Sequence, residues 1–241
     1  MQFDTHLFWE ALSSGTYARG ALLALGLTVT SLAAATVLGF LLALGRGSRF
    51  AVVRSTIWVY VWFFRATPTL LQLLFVWYAL PQLMPSLNAS WFTPFLAAFI
   101  ALSLNEAAYM AEIVRGGLLA VDPGQRLAAR ALGMTTPRIL RRVVVPQAIR
   151  IVIPPTGNEF ITLLKLTSLA SVISLRELLT VAQQDTAVTF SFAEFYGAAL
   201  VYYLVLVSAM MVVQHELERR FTWTSARRRF LGATRLLPAE H

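Results

Sequence analysis

Polar and apolar positions along the chain fall into long blocks rather than a short alternating pattern. Gly20 to Leu44 contains no charged residue. A helix over that stretch spans roughly 37 Å at 1.5 Å per residue, enough to cross a bilayer. Ala66 to Leu104 is also uncharged, but Pro81, Pro85, Asn88 and Pro94 interrupt it. The pattern predicts a re-entry loop over 81–94, with one span near 56–80 and another near 92–114. A fourth span is expected near 149–175, with charges in its middle, and a fifth over Phe195 to His215. About five membrane helices and no strand periodicity define an all-α membrane protein.

Composition agrees. Of the 241 residues, 57% are hydrophobic and only 13% charged, whereas soluble chains run near a quarter charged. Cysteine is absent, which excludes disulfides, thiolate metal sites and cysteine nucleophiles. His6, His215 and His241 are scattered and show no metal-ligand spacing. The N-terminus, MQFDTHLFWE, has two acids and no basic segment, so it does not read as a cleaved signal peptide.

The net charge of +8 would suggest nucleic acid if it formed a patch on a polar fold. Its distribution gives a different reading. Arg46, Arg49 and Arg54 lie between spans one and two. Arg115, Arg126, Arg130, Arg138, Arg141, Arg142 and Arg150 lie between spans three and four. Arg219, Arg220, Arg227, Arg228, Arg229 and Arg235 follow span five. These are all but four of the 20 basic residues, and they occupy alternate connections. Such connections face the cytoplasm. The N-terminus and the 81–94 and 180–194 loops are then expected outside, and no nucleic-acid partner is implied. Phe221, Trp223, Phe230 and Leu231 among the last arginines read as an interfacial anchor on anionic lipid.

Ionisable groups inside spans are costly and are functional candidates. Four stand out: Arg65, Glu106, Glu159 and Lys165. The alternative is that Arg65 or Lys165 pairs with Glu106 or Glu159 to neutralise charge and lock helices together. Asn158, Thr162 and Lys165 recur at helical spacing, with Glu159 beside them. Lipid penalises such a face, so it is expected to turn toward the bundle interior or a watery cavity. Pro154, Pro155 and Gly157 just ahead of it are expected to loosen the helix start.

The segment PGQRLAARALGMTTPRILRRVVVP, 123–146, reads as two short helices. Asp122 is a good N-cap, Pro123 suits the first helical position, Gln125 suits a capping box, and Gly133 suits the C-terminal stop. Thr136-Pro137 opens the second helix, which Pro146 is expected to interrupt. A solvated loop whose arginines merely enforce topology is the alternative.

The same segment resembles the cytoplasmic signature of permeases of ATP-binding-cassette (ABC) importers, Glu-Ala-Ala followed three residues later by Gly. Here Leu127-Ala128-Ala129 precedes Arg130-Ala131-Leu132 and Gly133, with Val145-Pro146 downstream, so Leu127 stands where the family has Glu. Arg65-Ala66-Thr67-Pro68 with Gln72, Ala111-Glu112-Ile113 with Arg115-Gly116, Pro154-Pro155-x-Gly157-Asn158-Glu159-Phe160 and Leu164-Lys165-Leu166-Thr167-Ser168-Leu169 resemble further elements of the polar amino acid permeases. These blocks lie in order over about 17–220.

The resemblance implies a type I importer permease: an external segment at 1–16, a membrane domain at 17–220 with its coupling loop near 120–148, and a basic cytoplasmic tail at 221–241. It implies that Arg126, Leu127, Ala128, Ala129, Arg130, Leu132 and Gly133 meet a cleft on an ATPase subunit. It also implies two ATPase subunits that bind ATP and Mg, a second identical or homologous permease chain, and an extracytoplasmic amino-acid-binding protein. The setting would be a bacterial inner membrane, with no cofactor on this chain. An amino acid needs both donors and acceptors, so Gln72, Asn105, Asn158, Thr167 and Ser168 are expected to touch solute. Back-bonding to a helix carbonyl is the alternative for the last two. Leu166 stands where many relatives have Asp, which favours neutral or acidic substrates over arginine or lysine.

A phosphate-binding loop needs GxxxxGK[ST]. The single lysine, Lys165, follows Leu164, so no such loop exists here and ATP hydrolysis falls to another chain. A stand-alone secondary carrier or channel is the competing reading, though such carriers often show repeated halves and none is evident. A membrane enzyme lacks support from any HExxH or GxSxG motif.

Overall fold

The computed structural model describes residues 3–233, with side chains up to Arg220. No strand occurs among them. A short helix α1, Thr5–Ser13, leads into α2, Gly15–Gly45. Asp4 caps the first by accepting from the His6 and Leu7 amides, and the Ser14 side chain accepts from Thr16 at the start of the second. Then come α3 (Ala51–Ala66), α4 (Thr69–Leu74), α5 (Leu80–Leu83) and α6 (Pro94–Leu119). Beyond these lie α7 (Pro123–Ala131), α8 (Thr136–Ile139), α9 (Val145–Leu166), α10 (Leu178–Thr189) and α11 (Phe192–Ala233).

Three helices are long and apolar enough to cross a bilayer alone: α2, α6 and the Phe192–Arg220 part of α11. The other two expected spans are bent pairs. Between α3 and the 69–83 segment the chain turns by 105°. Pro68 causes it: the residue before a proline is pushed out of the helical region, and Thr67 sits at φ −106°, ψ 145°. The span expected over 56–80 is therefore not one straight helix.

The fourth span differs as well. Pro146 does not interrupt it. A π-turn over Leu140–Val144 joins α8 to α9, and the helical body runs on to Ile173. The wider turn accommodates a ring that would otherwise clash with the preceding carbonyls. Pro154 and Pro155 lie inside α9, so they do not mark a loosened start. The last turn, Thr167–Ile173, tightens to 3-10 geometry and ends at Ser174 with φ 60°. After a 46° bend comes α10, where a loop over 180–194 was expected. Its N-cap, Glu177, is fully buried and accepts from the Leu179 and Thr180 amides and the Tyr203 hydroxyl. The tail's aromatic anchor lies outside the described side chains.

The core is built on α2 against α6. Lipid supplies little hydrophobic drive between helices, so close van der Waals packing of small residues must hold them. The buried face of α2 accordingly carries Ala24, Thr28, Ser31, Ala35, Gly39 and Ala43, while Gly20 packs on Leu178 of α10. Opposite lie Ala97, Ala101, Ala107, Ala108 and Ala111 of α6. At Gly39 the approach is tightest: a Cβ there would stand 2.6 Å from Met110 Cβ and 2.9 Å from the Ala111 nitrogen. A second cluster joins α1, the start of α2, α10 and α11 around Tyr17, Leu178 and Ala198. Tyr202 donates to the Leu12 carbonyl at 2.9 Å there. By contrast α3 is largely exposed; Val61 is buried, and Tyr60 donates to the Leu104 carbonyl at 2.7 Å.

Candidate translocation surface and coupling helix

The expected polar stripe on α9 exists, but not inside this chain's bundle. Asn158, Thr162 and Lys165 are all exposed, while Glu159 and Leu166 are half-buried. Asn158 accepts from the Gln214 side chain of α11 at 2.9 Å, and Gln214 presses against Gly157. The stripe thus lies on the outer surface of one chain, within a helical body that forms part of a candidate membrane span.

Thr167 is buried and donates to the Leu164 carbonyl at 2.7 Å; Ser168 donates to the Lys165 carbonyl at 2.7 Å. Their hydroxyls thus take the back-bonding alternative and close the tightened last turn.

Gln72 and Asn105 are brought together, though not toward open space. Both are buried. Gln72 donates through Nε2 to the Phe64 carbonyl (3.0 Å) and the Thr67 hydroxyl (2.8 Å). Asn105 donates to Gln72 Oε1 (2.9 Å) and to the Phe64 carbonyl (3.1 Å). The break at Pro68 leaves carbonyls at the end of α3 without helical partners, and these two amides supply the missing donors. Gln72→Leu is therefore expected to destabilise the protein by about 1–3 kcal/mol, the cost of buried polar groups left unmet. Thermal unfolding in detergent would register this as a lower midpoint.

None of Arg65, Glu106, Glu159 and Lys165 forms an ion pair with another described residue. Glu106 is 2% exposed and its Oε1 has no hydrogen-bond partner. Arg65 is exposed and lies over the Tyr109 ring, 5.5 Å from its centroid. The charge cluster that does form is Arg46–Glu112–Arg115. Arg46 engages Glu112 Oε1, and Arg115 reaches Oε2 at 2.6 Å. The spacing of Glu112 and Arg115, three apart on one helix, suits such a pair. Arg46 comes from the far end of another helix, and its place in a basic connection carries no sequence signal for this pairing.

The 123–133 segment folds much as its sequence suggests. Asp122 accepts from the Gly124 amide at 2.7 Å, Pro123 begins α7, and Gly133 takes φ 74°, where glycine is favoured. Gln125 contributes its backbone amide to the Asp122 carbonyl, and no side-chain bond completes a capping box. The helix has two faces. Ala129 is buried with Val121, Ile139, Val144 and Ala148. Leu127 is 66% and Leu132 82% exposed, on an outer face that also holds Ala128 and Arg130. Arg126 points back instead, donating to the Leu118 carbonyl at 2.7 Å. It ties the helix to the end of α6 and is not on the outward face.

Comparison with known proteins adds an independent line. Residues 35–223 match the family described as binding-protein-dependent transport system inner membrane component. An arginine transport system permease protein of Corynebacterium glutamicum is 42% identical, over 87% of this chain and 69% of its own length. An octopine transport system permease protein of Rhizobium radiobacter is 41% identical, over 86% of this chain and 85% of its own. A crystal structure of an amino acid ABC transporter with histidines superposes with a TM-score of 0.84 at 34% identity, covering 91% of this chain and all of that one. With its bent helices, its exposed polar stripe and the exposed face of α7, this chain belongs to the binding-protein-dependent transport system inner membrane components, the permease subunits of ABC importers.

Proposed function

We propose that this chain forms half of an ATP-driven path for a polar amino acid, closed by a second identical or homologous permease chain. One observation carries the reading: Asn158, Thr162 and Lys165 lie exposed on α9 at membrane depth. A charged or amide group facing lipid is costly. A partner of like chemistry across the stripe would enclose it in a hydrated path, where Lys165 and Glu159 meet the carboxylate and ammonium of the solute. Gln72, Asn105, Thr167 and Ser168 then shape the wall rather than contact the solute, because their polar atoms are engaged within the chain.

The exposed face of α7 fits a cleft on an ATPase subunit, one per permease chain, which binds ATP and Mg and drives the change between inward- and outward-open states. A binding protein delivers solute from outside. The arginine-rich connections support a cytoplasmic coupling loop and C-terminus and an external N-terminus in a bacterial inner membrane. This chain needs no cofactor of its own.

Proteoliposomes test the reading. With both permease chains, ATPase subunits and binding protein present, uptake of an amino acid is expected to require ATP hydrolysis. Accumulation against a gradient by this chain alone would favour a secondary carrier and sink the proposal. In a substrate panel, a preference for arginine or lysine would overturn the expectation placed on Leu166 without touching the permease reading. The names of the arginine and octopine relatives make that arm informative.

A further inference from the structure

Beside the α9 stripe lies a cluster that the sequence did not connect. Arg46, Trp58, Trp62, Arg65, Glu112 and Arg115 line a half-open groove of about 370 Å³ between α3 and the ends of α2 and α6, within the ~300–1,000 Å³ of ordinary small-molecule sites. Its charge is unbalanced. Three guanidinium groups face one carboxylate, and both oxygens of Glu112 are already engaged, one by Arg46 and one by Arg115. Arg65 has no carboxylate within ion-pair distance among the described residues, only the Tyr109 face. An exposed guanidinium without a carboxylate partner is open to an anion or to water. Trp58 and Trp62 stack with their rings 5° from parallel and stand half-exposed, giving the groove a flat apolar wall. Tyr109, under Arg65, neighbours Met110 of α6, which Thr156 of α9 approaches to 4.0 Å, and Glu159 lies within electrostatic reach of Arg65, so the groove adjoins the stripe.

We propose that this groove is a second station on the path. It takes the α-carboxylate of the transported amino acid on Arg65 as the solute leaves the α9 surface, with the indoles against its carbon skeleton. The inference rests on the permease reading and deepens it. Guanidinium suits the task because its planar fork matches a carboxylate through two parallel hydrogen bonds. Arg46 and Arg115 occupy both oxygens of Glu112, which leaves Arg65 only a longer-range attraction to that carboxylate. Because Arg46 and Arg115 end helices that lead into the basic connections, the station lies on the cytoplasmic side of the stripe.

The test begins with wild-type uptake in proteoliposomes of the full complex, which names an amino acid that is carried. Failure of every amino acid there overturns the permease reading and the station with it. The nucleotide-free permease–ATPase complex is then titrated, without binding protein, with that amino acid and with its α-amide, following tryptophan fluorescence. Saturable binding of the free acid is expected, with the amide about tenfold weaker or more, the scale of one lost charged hydrogen bond. Arg65→Gln should weaken the free acid by a similar factor and leave the amide unchanged, and Arg65→Lys should recover part of the loss. Equal weakening of acid and amide by Arg65→Gln would assign Arg65 to the scaffold and overturn the station alone. A fluorescence response to vesicles of anionic phospholipid but not to the amino acid would also overturn it, by making the groove a headgroup site.

Discussion

Replacing Leu132 with aspartate is expected to uncouple transport from ATP hydrolysis while leaving the permease folded. Leu132 is 82% exposed at the end of α7; a side chain touching so little of its own chain contributes little to its fold. Large apolar groups standing free on a protein surface mark contact sites. In the assembled importer Leu132 would fill an apolar site on the ATPase, and a carboxylate there would be buried without a partner. Anchors of this kind cost about 2–4 kcal/mol when lost, or roughly 30- to 1,000-fold in docking. The measurement is co-purification of the ATPase subunit together with uptake in proteoliposomes. Normal ATPase recovery and normal uptake by Leu132→Asp would show that the outer face of α7 is not the contact. Leu127→Glu restores the residue usual in the family at an exposed position and is expected to keep coupling.

Gly39→Ala is expected to have the larger effect on stability. The added methyl would stand 2.6 Å from Met110 Cβ, 2.9 Å from the Ala111 nitrogen and 3.0 Å from the Ala107 carbonyl oxygen. Two of these neighbours are backbone, which a side-chain rotation cannot move. The two longest-packed helices must separate, and overpacking of this kind costs about 3 kcal/mol. A lower unfolding midpoint and poor recovery of monodisperse protein are the expected readouts. Gly26 on the same helix has nothing within 4 Å of an added Cβ, so Gly26→Ala serves as a control that should leave the midpoint unchanged. Equal behaviour of the two variants would mean that α2 does not pack on α6 through Gly39.

Some features needed only local chemistry. Runs of uncharged residues long enough to cross a bilayer marked α2 and α11, since lipid disfavours charge, while α6 showed as an apolar stretch resuming at Pro94. Asp122, Pro123 and Gly133 delimited α7, because caps act on groups within a few residues of themselves. The missing phosphate-binding loop followed from a single lysine in the wrong context.

Packing decided the rest. Whether a proline stops a helix depends on what accommodates its ring: Pro68 gives a right-angled break, while Pro146, Pro154 and Pro155 pass within one helical body. Gln72 and Asn105 suit a solute that needs both donors and acceptors; only the fold shows their amides bonded to each other and to a carbonyl that the break leaves free. The four charges in the spans could be paired on paper in several ways, and none of those pairs forms. Instead Glu112 meets Arg46, from a helix end far away in sequence. Hydrophobic patterning records which residues avoid water or lipid, whereas the partner of a polar group depends on distances that only the assembled helices set.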